Sequence, residues 1–196
     1  ATVVDTQEKA ELISHQVVVE AGELSVGDEL TAKIQTDQRM DTRRNHTATH
    51  LLHQVLRDIL GEHVDQSGSL VTPKRLRFDF THFEAVSEEE LKEIEEQVNE
   101  VIRKNLDVEV LETTLEEAEE MGAAALFSEK YDDEVRVIKI GDYSLELCGG
   151  THVDATGEIS LLKITSEGGI AAGVRRIEAV TGKKALSYIN EQEDIL

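Results

Sequence analysis

The sequence predicts an α+β fold, a mostly antiparallel sheet with helices, preceded by part of a small β-barrel, and two observations carry that prediction. Apolar residues recur at helical spacing in two stretches, Leu52, Val55, Leu56 and Ile59, then Leu91, Ile94, Val98, Val101 and Ile102, each the buried stripe of an amphipathic helix. Around them lie short strand-like runs separated by Gly-containing turns.

Taken in order, residues 15–34 (HQVVVEAGELSVGDELTAKI) read as two strands with polar turns at Ala21–Glu23 and Val26–Asp28, the barrel part of a subdomain spanning 1–40. Asn45 reads as the N-cap of a helix reaching about Leu60, with Gly61 just past its end. Strands at 69–72 and 75–80 flank Pro73, and the second sets Leu76, Phe78 and Phe80 on one face and Arg75, Arg77 and Asp79 on the other. Ser87 with Glu90 forms a capping box for the second helix. A strand at 107–112 and a short helix opened by Thr114 with Glu117 follow. Strands at 134–140, 143–147, 158–165 and 174–180 are parted by turns at Gly141–Asp142, Gly157 and Gly168–Gly169. The main domain covers 41–182, and 183–196 begins a further, linking helix opened at Thr181.

Composition narrows the classes. With 196 residues, 39% hydrophobic, 31% charged, one Pro and no Trp, the chain is a soluble globular protein. No apolar run approaches the ~20 residues of a membrane span, so no membrane partner is expected. The single Cys148 rules out an internal disulfide and points to the cytoplasm. A net charge of −21 opposes non-specific binding to nucleic acid, but 19 acidic and 4 basic residues are concentrated between Glu84 and Glu134. Outside that block, Arg43–Arg44, Lys74–Arg75–Arg77, Arg175–Arg176 and Lys183–Lys184 form small basic clusters able to hold a few phosphates; taken singly, such pairs are ordinary solvated charge.

The chemistry lies in two short pairs. His46 and His50 are four apart on a helix and share a face, a weak signal alone. The zinc-protease version of this motif fails, because Thr47 stands where its Glu base belongs. Cys148 and His152, in CGGTH, are joined by Gly149, Gly150 and a threonine that let the backbone turn tightly. One thiolate with three imidazoles is a donor set that zinc favours, although iron or nickel accept it too.

The runs RRNHTATHLLH (43–53), QSGSLV (66–71), LRFDF (76–80), ELCGGTH (146–152) and GVRRIEAVTG (173–182) closely resemble the editing domain of alanyl-tRNA synthetases, in order and at the family's intervals. Free-standing alanyl editing proteins and the N-terminal editing domain of threonyl-tRNA synthetases share the two pairs, but not the LRFDF and GVRRIEAVTG wording. The resemblance implies that 41–182 is a zinc-binding editing core, with His46, His50, Cys148 and His152 as ligands. It matches Gln66 to the family's discriminating glutamine and Thr49 to a threonine of the same pocket, the two expected catalytic and substrate-binding residues. Ser67, Gly68, Gly149 and Gly150 could add backbone N–H groups to substrate or oxyanion. The implied activity is hydrolysis of the ester joining serine or glycine to tRNA for alanine. The implied partners are that tRNA and the remaining domains of a full-length synthetase, since the family's glycine-rich barrel stretch and its aminoacylation and C-terminal domains are absent here, as in an excised fragment. Two other readings compete: a non-catalytic, zinc-stabilised RNA-binding module, which the acidic balance weakens, and an unrelated metallohydrolase of small esters.

Overall fold

The structure, a computed structural model, describes residues 1–9, 12–124 and 133–194. The last two residues of the expected linking helix lie outside the described residues. The chain divides into two compact units, Ala1–Ile34 and Gln35–Leu196.

The first unit is an exposed antiparallel hairpin of β1 (Thr2–Lys9) and β2 (Leu12–Val18), pairing from Thr2 with Val18 to Lys9 with Leu12. This corrects the placement of both strands within 15–34. Residues 29–34 form no strand; alternation suggests a strand, but one forms only where a partner satisfies its backbone groups, and among the described residues these pair with none. The expected turn at Val26–Asp28 is present, with the Asp28 N–H donating to the Ser25 carbonyl at 3.2 Å and the Ser25 N–H to the Asp28 carboxylate at 2.8 Å.

In the second unit all strand pairs are antiparallel. A four-stranded sheet runs β3 (Gln66–Val71), β4 (Leu76–Thr81), β9 (Val174–Thr181), β8 (Leu162–Ala171), and a three-stranded sheet runs β5 (Val108–Thr114), β6 (Glu134–Ile140), β7 (Ser144–Leu147). Helix α1 (Thr36–Leu60) and α2 (Glu88–Arg103) bury their apolar stripes against these sheets. One core joins Leu51, Leu52, Val55 and Leu56 of α1, Leu76, Phe78 and Phe80 of β4, Ile94 and Val98 of α2, and Ile138 and Ile140 of β6. Helices α3 (Leu115–Glu120) and α4 (Gly182–Glu193) complete the unit. Both expected capping boxes form, at Ser87–Glu90 and Thr114–Glu117.

Three local expectations are corrected. Helix α1 starts at Thr36, so Asn45 is no cap: it is 1% exposed within the helix, donating to the Thr72 carbonyl at 2.8 Å and accepting from the Thr181 hydroxyl at 2.7 Å. A cap residue and a tertiary clamp need the same short amide, so local sequence cannot separate them. Residue 158 belongs to a 3-10 turn, Thr156–Ile159, and β8 begins only at Leu162. Gly168 and Gly169 lie inside β8; the reversal comes later, at Gly173, whose φ of +70° is what needs a glycine.

Candidate metal centre

His46 and His50 project from α1, and Cys148 and His152 from the segment that follows β7. Their four donor atoms all lie within 4.8 Å of one another. The Cys148 Sγ is 3.5 Å from His46 Nε2 and 3.4 Å from His152 Nε2. A tetrahedral zinc with bonds of about 2.3 Å to sulfur and about 2.0 Å to nitrogen sets such edges near ~3.5 Å, so the donors fit the ion in type, number and spacing.

A second layer orients the rings. The Glu146 carboxylate, 3% exposed, pairs with His50 Nδ1 and lies 3.0 Å from His53 Nδ1. The Thr47 hydroxyl lies 3.2 Å from His152 Nδ1. With Nδ1 engaged, His50 and His152 keep Nε2 for the cluster, as oriented histidines of metal sites do. Thr47, where a protease base would stand, is thus a ring-orienting group.

Electrostatics follow from burial and these contacts. Burial alone would lower the His50 pKa, but the Glu146 carboxylate, with help from Cys148, outweighs it and lifts the group to about 10. Burial opposes ionisation of Glu146, yet His50 and then His53 hold it down at about 2. Burial likewise disfavours the Cys148 thiolate, but hydrogen bonds from His152, His46 and His50 prevail and bring it to about 3. For His152, desolvation dominates, reinforced by the positive charge of His50 and His46, and its pKa falls to about 4. At neutral pH the set therefore offers a thiolate and a neutral imidazole ready to ligate.

The loop is clamped from outside. Arg136 donates to the Cys148 and Gly150 carbonyls at 2.8 and 2.6 Å, and Arg43 donates to the His152 carbonyl and pairs with Asp154. Neither Gly149 nor Gly150 has a positive φ, so torsional freedom is not what the loop requires. Space is: a Cβ on Gly150 would stand 1.9 Å from His46 Cε1, whereas one on Gly149 would meet nothing within 4 Å.

Beside the cluster is a cavity of about 30 Å³, lined by His46, His50 and Cys148 together with Thr49, His53, Gln66, Ser69 and Glu146, on the scale of a single water. The buried Gln66 Nε2 and His53 Nε2 have no hydrogen-bond partner, and the Thr49 hydroxyl donates to the Asn45 carbonyl at 2.8 Å. Ser67 and Gly149 are exposed and Gly150 is partly buried, and none of the three lines the cavity. Glu146, Arg136, His53 and Ser69 were not singled out from sequence, and Arg43 and Thr47 were named there in other connections. Glu146 had a readable signal, since strand periodicity sets residues 146 and 148 on one face, and His53 stands one helical turn beyond His50.

Residues 135–178 match the family described as the threonyl and alanyl tRNA synthetase second additional domain. Over nearly its whole length the chain is similar to alanine–tRNA ligases. It is 56% identical over 184 residues to that of Clostridioides difficile (94% of this chain, 21% of the ligase) and 58% identical over 181 residues to that of Alkaliphilus oremlandii (92% and 21%). With the ligase of Carboxydothermus hydrogenoformans the identity is 58% over 187 residues, 95% of this chain and 21% of the ligase. The chain spans about a fifth of the length of these curated relatives. The kinship with alanyl-tRNA synthetases expected from the motifs is borne out.

Proposed function

We propose that this chain hydrolyses the ester bond of tRNA for alanine carrying serine or glycine. The observation that supports this most is the meeting of the unpartnered, buried Gln66 amide and the Thr49 hydroxyl with the four-donor cluster in one small cavity. Serine differs from alanine by a hydroxyl, and a buried site built to hydrogen-bond that group rejects its absence by ~10⁴–10⁵. Gln66 Nε2 would donate to the seryl oxygen; Thr49 Oγ1, its proton committed to Asn45, would accept from the seryl hydroxyl. Glycine lacks the hydroxyl, so Gln66 and Thr49 account for the choice of serine over alanine and not for glycine. Zinc held by His46, His50, Cys148 and His152 would supply a fixed positive charge beside the cavity, and four protein donors filling a tetrahedral shell favour positioning as its contribution. Glu146 and Thr47 hold the histidine rings; of the glycines, Gly150 already donates its N–H to Cys148 Sγ at 3.4 Å, which leaves the Gly68 and Gly149 backbone as the candidate source of N–H groups for the oxyanion that forms at the ester carbon. The cognate partners in this reading are the charged tRNA and the other domains of a full-length synthetase, in the cytoplasm; no helix among the described residues is long and apolar enough to cross a membrane.

The saturated donor set also suits a rival, a non-catalytic RNA-binding module stabilised by zinc. Release of serine from seryl-tRNA for alanine separates the two. Wild type should release it and Gln66→His should be slowed at least tenfold in kcat/KM with an unchanged Tm, whereas no release by the metal-loaded wild type favours the rival. A Gln66→His protein that unfolds would make Gln66 structural.

A further inference from the structure

A second and larger cavity, about 640 Å³, is lined by Gln38 and Asp41 of α1, Leu70 of β3, the turn Thr72 to Arg75, and Lys184 of α4. We infer that this groove holds the phosphodiester backbone of the single RNA strand leading to the esterified terminal nucleotide. The inference rests on the ester-hydrolysis reading and adds where the strand lies.

Charge is the first argument. The groove's side chains include the cations Lys74, Arg75 and Lys184 and one anion, Asp41, in a chain whose net charge is −21. Asp41 is already engaged by Arg44 at 3.1 Å and Lys184 at 3.4 Å. Arg75 keeps only a 3.4 Å contact with Glu178, and Lys74 is exposed with no carboxylate within salt-bridge reach among the described residues. The other basic clusters are committed: Arg43 to Asp154, Arg175 to Glu167, and Arg176 by two hydrogen bonds of 2.6 and 2.7 Å to Asp79. A local cationic excess in an otherwise repelling molecule is an electrostatic address for phosphate.

Continuity is the second. Gln38, Asp41, Asn45 and Thr49 are spaced three, four and four apart on one face of α1, with the groove at its start and the metal-centre cavity at Thr49, and a strand joining the two would pass over the buried Asn45 clamp. At about 1.5 Å per residue, Asp41 and Gln38 lie roughly 12 and 16 Å along the axis from Thr49, the reach of a few nucleotides. Strand β3 borders both, with Ser69 lining the small cavity and Leu70, on the opposite face of the strand, lining the groove. Leu70 and Pro73 give the groove apolar surface for sugars and base faces. The turn is rigid: the Thr72 hydroxyl donates to the Arg75 carbonyl at 3.0 Å and accepts from the Lys74 and Arg75 N–H groups at 3.2 and 3.1 Å, while Asn45 holds the Thr72 carbonyl.

Fluorescence anisotropy with a short single-stranded RNA oligonucleotide, titrated against KCl, tests the assignment. Each phosphate contact on a single strand contributes about −0.7 to the slope of log K against log salt, so wild type should show about −2 and Lys74→Ala/Arg75→Ala about −0.7. Lys74→Ala alone, at a side chain without a partner, should lose one step and keeps the test intact if the double variant misfolds. Unchanged affinity and slope in both variants, or equal preference for a blunt RNA duplex, would overturn the groove. Hydrolysis distinguishes the parent reading: on seryl-tRNA the variants should show KM raised about tenfold with kcat intact, and on a seryl ester of adenosine alone they should match wild type. If wild type cleaves neither substrate, the ester-hydrolysis reading fails, while the salt slopes still decide whether the groove binds a strand.

Discussion

Gly149 and Gly150 are adjacent and chemically identical, yet only one has a neighbour that a methyl group would strike. Gly150→Ala should drive the His46 ring from its place and reduce bound metal more than tenfold, the scale seen when metal-site supports are lost, while Gly149→Ala stays near wild type; elemental analysis of both proteins checks this. The double change His46→Ala/His50→Ala should abolish stoichiometric metal, and an unchanged content would remove the four-ligand assignment. In metal-stripped protein, His50 and Glu146 act as an ion pair with opposite titrations. Glu146, depressed from 4.5 to about 2, stabilises fully above about pH 4.5 and loses that contribution as pH falls through 2. His50, raised from 6.5 to about 10, stabilises fully below 6.5 and loses it as pH rises through 10. The stability difference between wild type and Glu146→Gln in the stripped protein should therefore be flat between about pH 4.5 and 6.5 and decline on both sides in denaturant titrations, while total stability also rises with pH over this range because Cys148 and His152 are held below their ordinary pKa values. The four clustered donors were legible because their residue types and spacings are rare in combination. Glu146 and Thr47 were not, because a carboxylate and a hydroxyl acquire their role only from the ring that folding brings beside them.

At the scale of elements, what is written locally was legible and what depends on pairing was not. Both capping boxes, the stripes of α1 and α2, and strands β4, β6, β7 and β9 rest on short-range pattern. The hairpin β1–β2, the long β8 and the early start of α1 depend on partners distant in sequence or on a polar helical turn with no side-chain cap at Gln35. Asn45 shows what such a partner is worth. Asn45→Ala would leave the Thr72 carbonyl and the Thr181 hydroxyl without their partner, a loss of about 1–3 kcal/mol for buried polar groups. A denaturant midpoint shifted to match that cost, with metal content retained, is the expected outcome; a midpoint equal to wild type would show that the clamp is dispensable.

For the whole molecule, charge and linkage are the governing facts. A chain of net −21 whose arginines are largely paired internally should bind tRNA weakly and more weakly as salt rises. Relative to a full-length alanine–tRNA ligase, it should therefore release serine with a higher KM and a similar kcat in steady-state kinetics. A collapsed kcat with matching affinity would mean that other domains complete the site. His46 and Cys148 stand 102 positions apart, one on a helix packed against the four-stranded sheet and the other where the three-stranded sheet ends. An ion between them closes a long loop of chain, as a cross-link would, but one whose strength is set by free metal concentration. Chelation should then act as an unfastening: amide exchange at Cys148 and Gly150 quickens first, while Leu51 to Leu56 in α1 stay protected until the whole core opens.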